Sequence, residues 1–292
     1  MMHQRIKMAK EKIYFGYGSN LNERDWNSSG KYSPWSEVLT VMEPAYLLDY
    51  VPVYHYYSGG RGGGALDVYP RNGGFVEGML FIPTEVGWED VDSKEGSPNY
   101  YTQKEVQVQT KSGKIVSALT YVVNPDKRKK EFISPSETYT NLVNEGMISL
   151  GLNPKGQNAA AKNDSDAGIC NHIFVYGTLR KGGERESAMK QGRKENPELG
   201  KIRGKLVNLG NYPGLIEGDG EVVGEIHTYD DINSVLDRLD LIEGFHSHGY
   251  QNNLFERIIC DVITNDKVLQ AWTYRWNDSN GEIIDSGDWN KR

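Results

Sequence analysis

Two glutamates, each followed by glycine, have the plainest capacity for chemistry in this chain: Glu95-Gly96 and Glu243-Gly244. They close matching strings, Asp92-Ser93-Lys94-Glu95-Gly96 and Asp240-Leu241-Ile242-Glu243-Gly244. Helices commonly end at a left-handed glycine, so both carboxylates are expected on the last turn of a helix, facing the negative end of its dipole. Partial burial there would make each hold its proton more tightly than in water. A carboxyl raised to roughly pKa 6 to 7 is a useful general base. The competing reading is a pair of ordinary surface glutamates at helix ends.

A base needs something to act on, and a second pair of strings could seat it. Tyr17-Gly18-Ser19-Asn20-Leu21 near the start returns as Tyr176-Gly177-Thr178-Leu179 past the middle, each preceded by an apolar run. A strand that stops at Gly-Ser/Thr leaves main-chain N–H groups unpaired and pointing at whatever anion lies above them. A substrate carboxylate would fit there, and an ordinary helix cap is the alternative.

The elements that must bring turn and glutamate together also recur in order. Val76-Glu77-Gly78-Met79-Leu80 answers Val222-Val223-Gly224-Glu225-Ile226, and Ala118-Leu119-Thr120-Tyr121 answers Ala271-Trp272-Thr273-Tyr274. Four ordered matches at unequal intervals indicate duplication with loop insertions around a retained site. The 292 residues accommodate two domains. They divide as 1–152 and 171–292, joined by a linker at 153–170 whose stretch from Asn153 to Gly168 lacks aromatic and branched apolar residues and any periodicity.

Within each copy the pattern is strands broken by turns, with a helix before the glutamate. Asp231 caps the clearer helix, whose Ile232, Val235, Leu236, Leu239 and Ile242 share one face. Thr84 opens the shorter equivalent, with Trp88 and Val91 turned inward. Strands are expected at 74–83, 103–109, 115–123, 255–263 and 268–276. Ser134-Pro135-Ser136-Glu137 can open a further helix in the first copy only, carrying Tyr139, Leu142, Val143, Met147 and Leu150 to Gly151. The fold class is α+β: two small, strongly curved sheets or β-barrels with flanking helices.

Other function classes fit poorly. A net charge of −7 with no clustered basic face argues against nucleic acid, and Lys127-Arg128-Lys129-Lys130 reads as a solvated turn. Met1 to Lys12 is polar and basic, and no run has the length of a membrane span, so a soluble, cytoplasmic protein is expected. Two cysteines, Cys170 and Cys260, make no disulfide framework and fit a reducing compartment. Gly16-Tyr17-Gly18 lacks the third glycine of a dinucleotide fingerprint, and the second copy has Val175 where Gly16 stands. His246-Ser247-His248 beside Glu243 lacks the distant ligands of a metal site. The glycine run from Gly59 to Gly64 reads as a mobile rim, with Arg61 available to an anionic substrate.

These strings together resemble the γ-glutamylcyclotransferase-like family, which includes an AIG2-like branch. The first copy is similar to the γ-glutamylcyclotransferase branch through Tyr17 to Leu21, the Gly62 to Pro70 segment, Val76-Glu77-Gly78, Glu95-Gly96 and the Pro135-Ser136-x-x-Tyr139 helix. The second is closer to the AIG2-like or γ-glutamylamine branch through Tyr176 to Gly182, Tyr212-Pro213-Gly214, Gly224-Glu225, Asp240-x-x-Glu243-Gly244 and Ser286 to Trp289. The resemblance implies a small-molecule γ-glutamyl substrate whose α-amino group attacks its own γ-carbonyl, releasing 5-oxoproline and an amine or amino acid without metal or cofactor. It implies Glu95 and Glu243 as catalytic bases. It also implies substrate binding by Tyr17, Gly18, Ser19, Asn20, Leu21, Tyr176, Gly177, Thr178 and Leu179, with Tyr121 and Tyr274 as pocket wall. Two rivals stay open: a pair in which one domain is catalytic and the other structural, and a non-catalytic module binding small carboxylates. The sequence sets no oligomeric state.

Overall fold

The computed structural model describes residues 12–292, so all but the last residue of the polar segment read at Met1 to Lys12 lies outside the described residues. The first barrel is built from β1 (Tyr14–Gly16), β2 (Leu39–Ser58), β3 (Gly63–Pro83), β4 (Tyr101–Thr110) and β5 (Ile115–Val123), closed in the order β1-β3-β2-β4-β5. Closure comes from the short first strand, which is antiparallel to β3 through Phe15↔Leu80 and parallel to β5 through Tyr14↔Leu119. The hairpin of β2 and β3 is much longer than the run expected at 74–83, and register shifts at Val41/Pro44, Leu48/Tyr50 and Val53/Tyr56 bend it. Such irregularities increase local twist, which lets so long a ribbon wrap into a barrel.

The second barrel repeats the plan with β6 (His172–Val175), β7 (Glu198–Asn208), β8 (Pro213–Thr228), β9 (Phe255–Ile263) and β10 (Val268–Trp276), while β11 (Glu282–Ile283) adds to the edge at β7. Here β6 is antiparallel to β8 and parallel to β10, and Lys201↔Ile263 joins β7 to β9. One glycine in each copy makes the first-strand crossing possible. A Cβ on Gly78 would stand 2.4 Å from the carbonyl oxygen of Gly16, and one on Gly224 2.4 Å from that of Val175.

Seven α-helices are described: α1 (Glu23–Ser28), α2 (Trp35–Val38), α3 (Glu85–Glu95), α4 (Glu137–Ser149), α5 (Lys155–Ala161), α6 (Ser187–Lys190) and α7 (Ile232–Glu243). None is long and apolar enough to cross a membrane. The two helices that matter most, α3 and α7, follow the third strand of their barrels. Thr84 Oγ1 accepts from Gly87 N at 3.0 Å and Asp231 Oδ1 from Ser234 N at 3.3 Å, starting the two helices. Gly96 (φ 62°) and Gly244 (φ 61°) stop them in the left-handed conformation. Ser136 caps α4, which buries Tyr139, Val143 and Met147 against the first barrel.

The segment read as a linker at 153–170 is not slack. It contains α5, whose Ala160 joins the first core and whose Gln157 Nε2 donates to Glu77 O at 3.0 Å. Small alanines and one buried amide suffice to dock a short helix, a signal that the absence of large apolar residues concealed. The glycine run from Gly59 to Gly64, expected as a mobile rim, is the β2–β3 turn and is tied at its base: Gly64 N donates to Ser134 O at 2.9 Å and Ser136 Oγ to Arg61 O at 2.8 Å. Within the basic run, Arg128 is not simply solvated, since its guanidinium lies over Tyr69 at 5.6 Å with Nε 3.7 Å from buried Asp67.

Candidate functional site

At the mouth of the first barrel the chain leaves β1, turns through Tyr17-Gly18-Ser19 and enters a single 3-10 turn at Ser19–Leu21. Main-chain bonds from Leu21 N to Gly18 O and Asn22 N to Ser19 O, both 3.1 Å, tighten it. The amides of Gly18, Ser19 and Asn20 donate to no partner among the described residues, as expected at the start of a helical turn. They line a cavity of about 570 Å³ with Tyr14, Tyr101, Tyr139 and Glu95. Glu95, 75 residues away in the chain, accepts from Asn20 Nδ2 at 2.7 Å; the same amide nitrogen donates to the Tyr14 hydroxyl at 3.0 Å. Asn20 is 2 % exposed and its Oδ1 has no partner among the described residues.

Burial raises the Glu95 carboxyl to about 7, against the opposing pull of Lys94 and the Asn20 bond. The surrounding phenols move away from neutrality: burial pushes Tyr139 up to about 12 and Tyr14, Tyr17 and Tyr101 well above their usual value. They remain protonated donors, and Glu95 is the group poised to exchange a proton near pH 7. Arg61, expected as free for an anionic substrate, is instead held by Asp25, Nη1 to Oδ1 and Nη2 to Oδ2 both at 2.8 Å. Lys94 Nζ reaches the same carboxylate at 2.8 Å, so the two cations brace the rim.

The second pocket is narrower, about 190 Å³, and more apolar. Its turn presents Tyr176, Gly177, Thr178 and Leu179, with Glu243, Arg185, Tyr212, Phe255 and Tyr274 around them. Arg180 N bonds to Gly177 O at 3.1 Å, and again the Gly177, Thr178 and Leu179 amides donate to no partner among the described residues. Burial raises Glu243 to about 7, with Arg185 opposing. The polar clamp of the first copy is absent as a unit. Leu179 occupies the place of Asn20 and Ile173 that of Tyr14, both in the apolar core, and the Glu243 carboxyl makes no hydrogen bond among the described residues.

What supports each glutamate is shared. Tyr17 OH donates to Tyr121 O at 2.7 Å, and Tyr176 OH to Tyr274 O at 2.6 Å. Tyr121 OH donates to Asp92 Oδ1 at 2.7 Å, and Tyr274 OH to Asp240 Oδ1 at 2.6 Å. Each aspartate precedes its glutamate by one helical turn, so it pins the same helix end to the last barrel strand. The aspartates belong to the repeated strings, and their spacing was the available sign of this role.

Two expected lining residues stand elsewhere. Leu21 is 1 % exposed in the first core, because the 3-10 turn rotates it inward. Tyr121 lies behind the cavity wall, with the Tyr14 ring 5.9 Å away and its hydroxyl committed to Asp92 and Gln103. Tyr274 does line its pocket. The histidines near Glu243 are not gathered with it: His248 lies between Asp49 and Glu256.

Comparison with known proteins places both halves. The family model described as γ-glutamyl cyclotransferase, AIG2-like, matches residues 173–291, and an AIG2-like family model matches residues 75–155. A γ-L-glutamyl-butirosin B γ-glutamyl cyclotransferase of Niallia circulans is 37% identical over 107 residues, covering 36% of this chain and 67% of that protein. A protein of Vibrio cholerae serotype O1, provisionally named a γ-glutamylcyclotransferase, is 31% identical over 122 residues, 41% of this chain and 96% of that one. Among solved structures, a γ-glutamyl cyclotransferase aligns over 51% of this chain and 85% of its own, with 23% identity and a TM-score of 0.43. The family-model and sequence matches, together with the two closed barrels, show that the chain belongs to the AIG2-like γ-glutamylcyclotransferase family as a tandem of two such domains.

Proposed function

We propose that both pockets are cyclotransferase sites for γ-glutamyl amines or γ-glutamyl amino acids, within domains at 1–152 and 171–292. The observation that carries this reading is the recurrence, in two pockets of different lining, of a carboxyl near pKa 7 beside a turn with three unpartnered amides. The amides seat the substrate's α-carboxylate and leave its α-nitrogen toward the glutamate. Glu95 or Glu243 takes a proton from the α-ammonium, and the freed nitrogen attacks the γ-carbonyl carbon. A new C–N bond closes the five-membered 5-oxoproline ring. The old amide C–N bond breaks as the carboxyl returns the proton to the departing nitrogen. The ring nitrogen gives up a second proton as the lactam forms and the departing amine takes it up to leave as an ammonium ion, so protons balance and no electrons are gained or lost.

The magnitudes are adequate. Holding the glutamyl tail in its cyclising conformer supplies up to roughly 7 to 11 kcal/mol, and a positioned base about 10² to 10⁴ in rate. The two linings favour different leaving groups: the first cavity is large and rich in hydroxyls, the second small and walled by Leu254, Phe255 and Ile242.

The test is release of 5-oxoproline from a panel of γ-glutamyl amides by wild type, Glu95→Gln, Glu243→Gln and the double variant. Each single variant should lose one part of the substrate range and the double variant all of it. Wild-type turnover in the double variant would remove the assigned bases. Loss through one glutamate alone would leave the other domain structural, and a wild type that binds but never cyclises would indicate a carboxylate-binding module.

A further inference from the structure

The helix carrying Glu243 rests on the other barrel. The Cβ position of Gly73, in β3 of the first barrel, lies 2.8 Å from Ile232 Cγ2 and 3.3 Å from Leu236 Cδ1 of α7. Asn72 Nδ2 donates to Asp237 Oδ1 at 3.0 Å. Beneath the end of α7, Arg257 is 1 % exposed, sandwiched between Phe245 (4.8 Å) and Trp272 (5.1 Å). Its Nη1 donates to Asp240 Oδ2 at 2.8 Å, and its Nη2 to Asp49 and Asn72 of the first barrel. Asp240 in turn receives the Tyr274 hydroxyl and stands one turn before Glu243.

The first copy supplies an internal control. Arg257 faces Tyr274 across β9 and β10, as Gln103 faces Tyr121 across β4 and β5, so Gln103 is the equivalent residue. Gln103 Nε2 donates to Asp92 Oδ1 at 3.0 Å and to the Tyr121 hydroxyl at 2.9 Å, all within one barrel. Among the described residues, no hydrogen bond or ion pair from α3 reaches the second barrel. A short, self-contained amide in one copy is thus replaced by a long cation in the other, and a buried cation requires a further carboxylate. Asp49 provides it from a left-handed backbone position (φ 57°), anchored by Gly73 N at 3.0 Å. His248 closes the knot, with Nε2 3.0 Å from Asp49 and Nδ1 3.1 Å from Glu256.

We propose that the first barrel is a structural part of the second active site: Asp49, acting through Arg257 and Asp240, is a positioning residue for Glu243, whereas Glu95 needs nothing from the second barrel. The inference rests on the cyclotransferase reading for its kinetic consequence, but its structural core is independent of any activity.

The test uses the full chain with Asp49→Asn, a shape-conserving change that a left-handed position tolerates, and Arg257→Gln, which installs the first copy's residue. In a Glu95→Gln background, where only the second site turns over, Asp49→Asn should lower kcat for 5-oxoproline release about 10- to 100-fold with KM moved much less. In a Glu243→Gln background it should leave the first site unchanged. Adding Asp49→Asn to Arg257→Gln should cost no more than Arg257→Gln alone, because the path is then already cut. Hydrogen exchange read on the same proteins should be faster across Ile232–Glu243 and unchanged across Glu85–Glu95. Equal losses at both sites, or full additivity, would overturn the proposal, as would unaltered exchange in α7. Faster exchange in α7 with no cyclotransferase activity in any background would keep the docking and remove the enzymatic reading instead.

Discussion

The hydrogen bond from Asn20 to Glu95 separates the two pockets chemically, and replacing Asn20 with leucine, the residue at the matching place in the second copy, tests what it does. The bond favours the ionised carboxylate and so opposes the rise that burial imposes. Hydrogen bonds to charged groups are worth about 1.5 to 3 kcal/mol, and since Glu95 keeps some solvent exposure we take the low end, about 1.5 kcal/mol or close to one pH unit. In Asn20→Leu the carboxyl therefore moves from about 7 to about one unit higher. The ionised fraction at pH 7 falls from about one half to about one tenth, a loss of roughly fivefold in kcat/KM that closes by about pH 9. The assay is the pH profile of 5-oxoproline release in a Glu243→Gln background, so that only the first site contributes. Tyr14→Phe added to Asn20→Leu checks that a stranded Tyr14 hydroxyl is not the cause. An acid limb that stays in place or moves to lower pH would refute the assignment of Glu95 as the titrating base.

Other outcomes follow from the same geometry. Because Glu95 has a raised pKa in the folded state, its stabilising contribution is full below the ordinary carboxylate range and is lost as pH rises through about 7; Glu95→Gln should therefore be more stable than wild type at pH 8, by about 1 to 3 kcal/mol in denaturant unfolding, while losing activity. Gly224→Ala would push a methyl against the Val175 carbonyl and the Phe174 ring, and thermal unfolding should show a loss of about 1 to 3 kcal/mol or more. His248 faces Asp49, Glu256 and Arg257, and although burial lowers its pKa, the two carboxylates raise it overall, so both ring nitrogens donate only while it is charged. Docking of the barrels should loosen as pH rises through that raised value, seen as faster hydrogen exchange at 244–254, and His248→Gln should remove the pH dependence.

Sequence alone determined the duplication and the α+β class and singled out both glutamates as candidates, since each reading rests on local information: strand alternation, a capping residue, a glycine after a helix. The strands at Ile115–Val123, Phe255–Ile263 and Val268–Trp276 begin and end where their apolar patterns do. The long β2–β3 ribbon exceeds its pattern because bulges break the alternation on which such readings depend. The docked helix at Lys155–Ala161 escaped for the opposite reason, being held by small residues and one buried amide. Only the tertiary structure decided which residues complete each site. Asn20 meets Glu95 across 75 positions, and Arg257 meets Asp49 across 208. Tyr121 and Tyr274 occupy one register position in two copies, yet only Tyr274 faces a pocket. Contacts of that range are set by how closed sheets and helices pack, and no local periodicity encodes them.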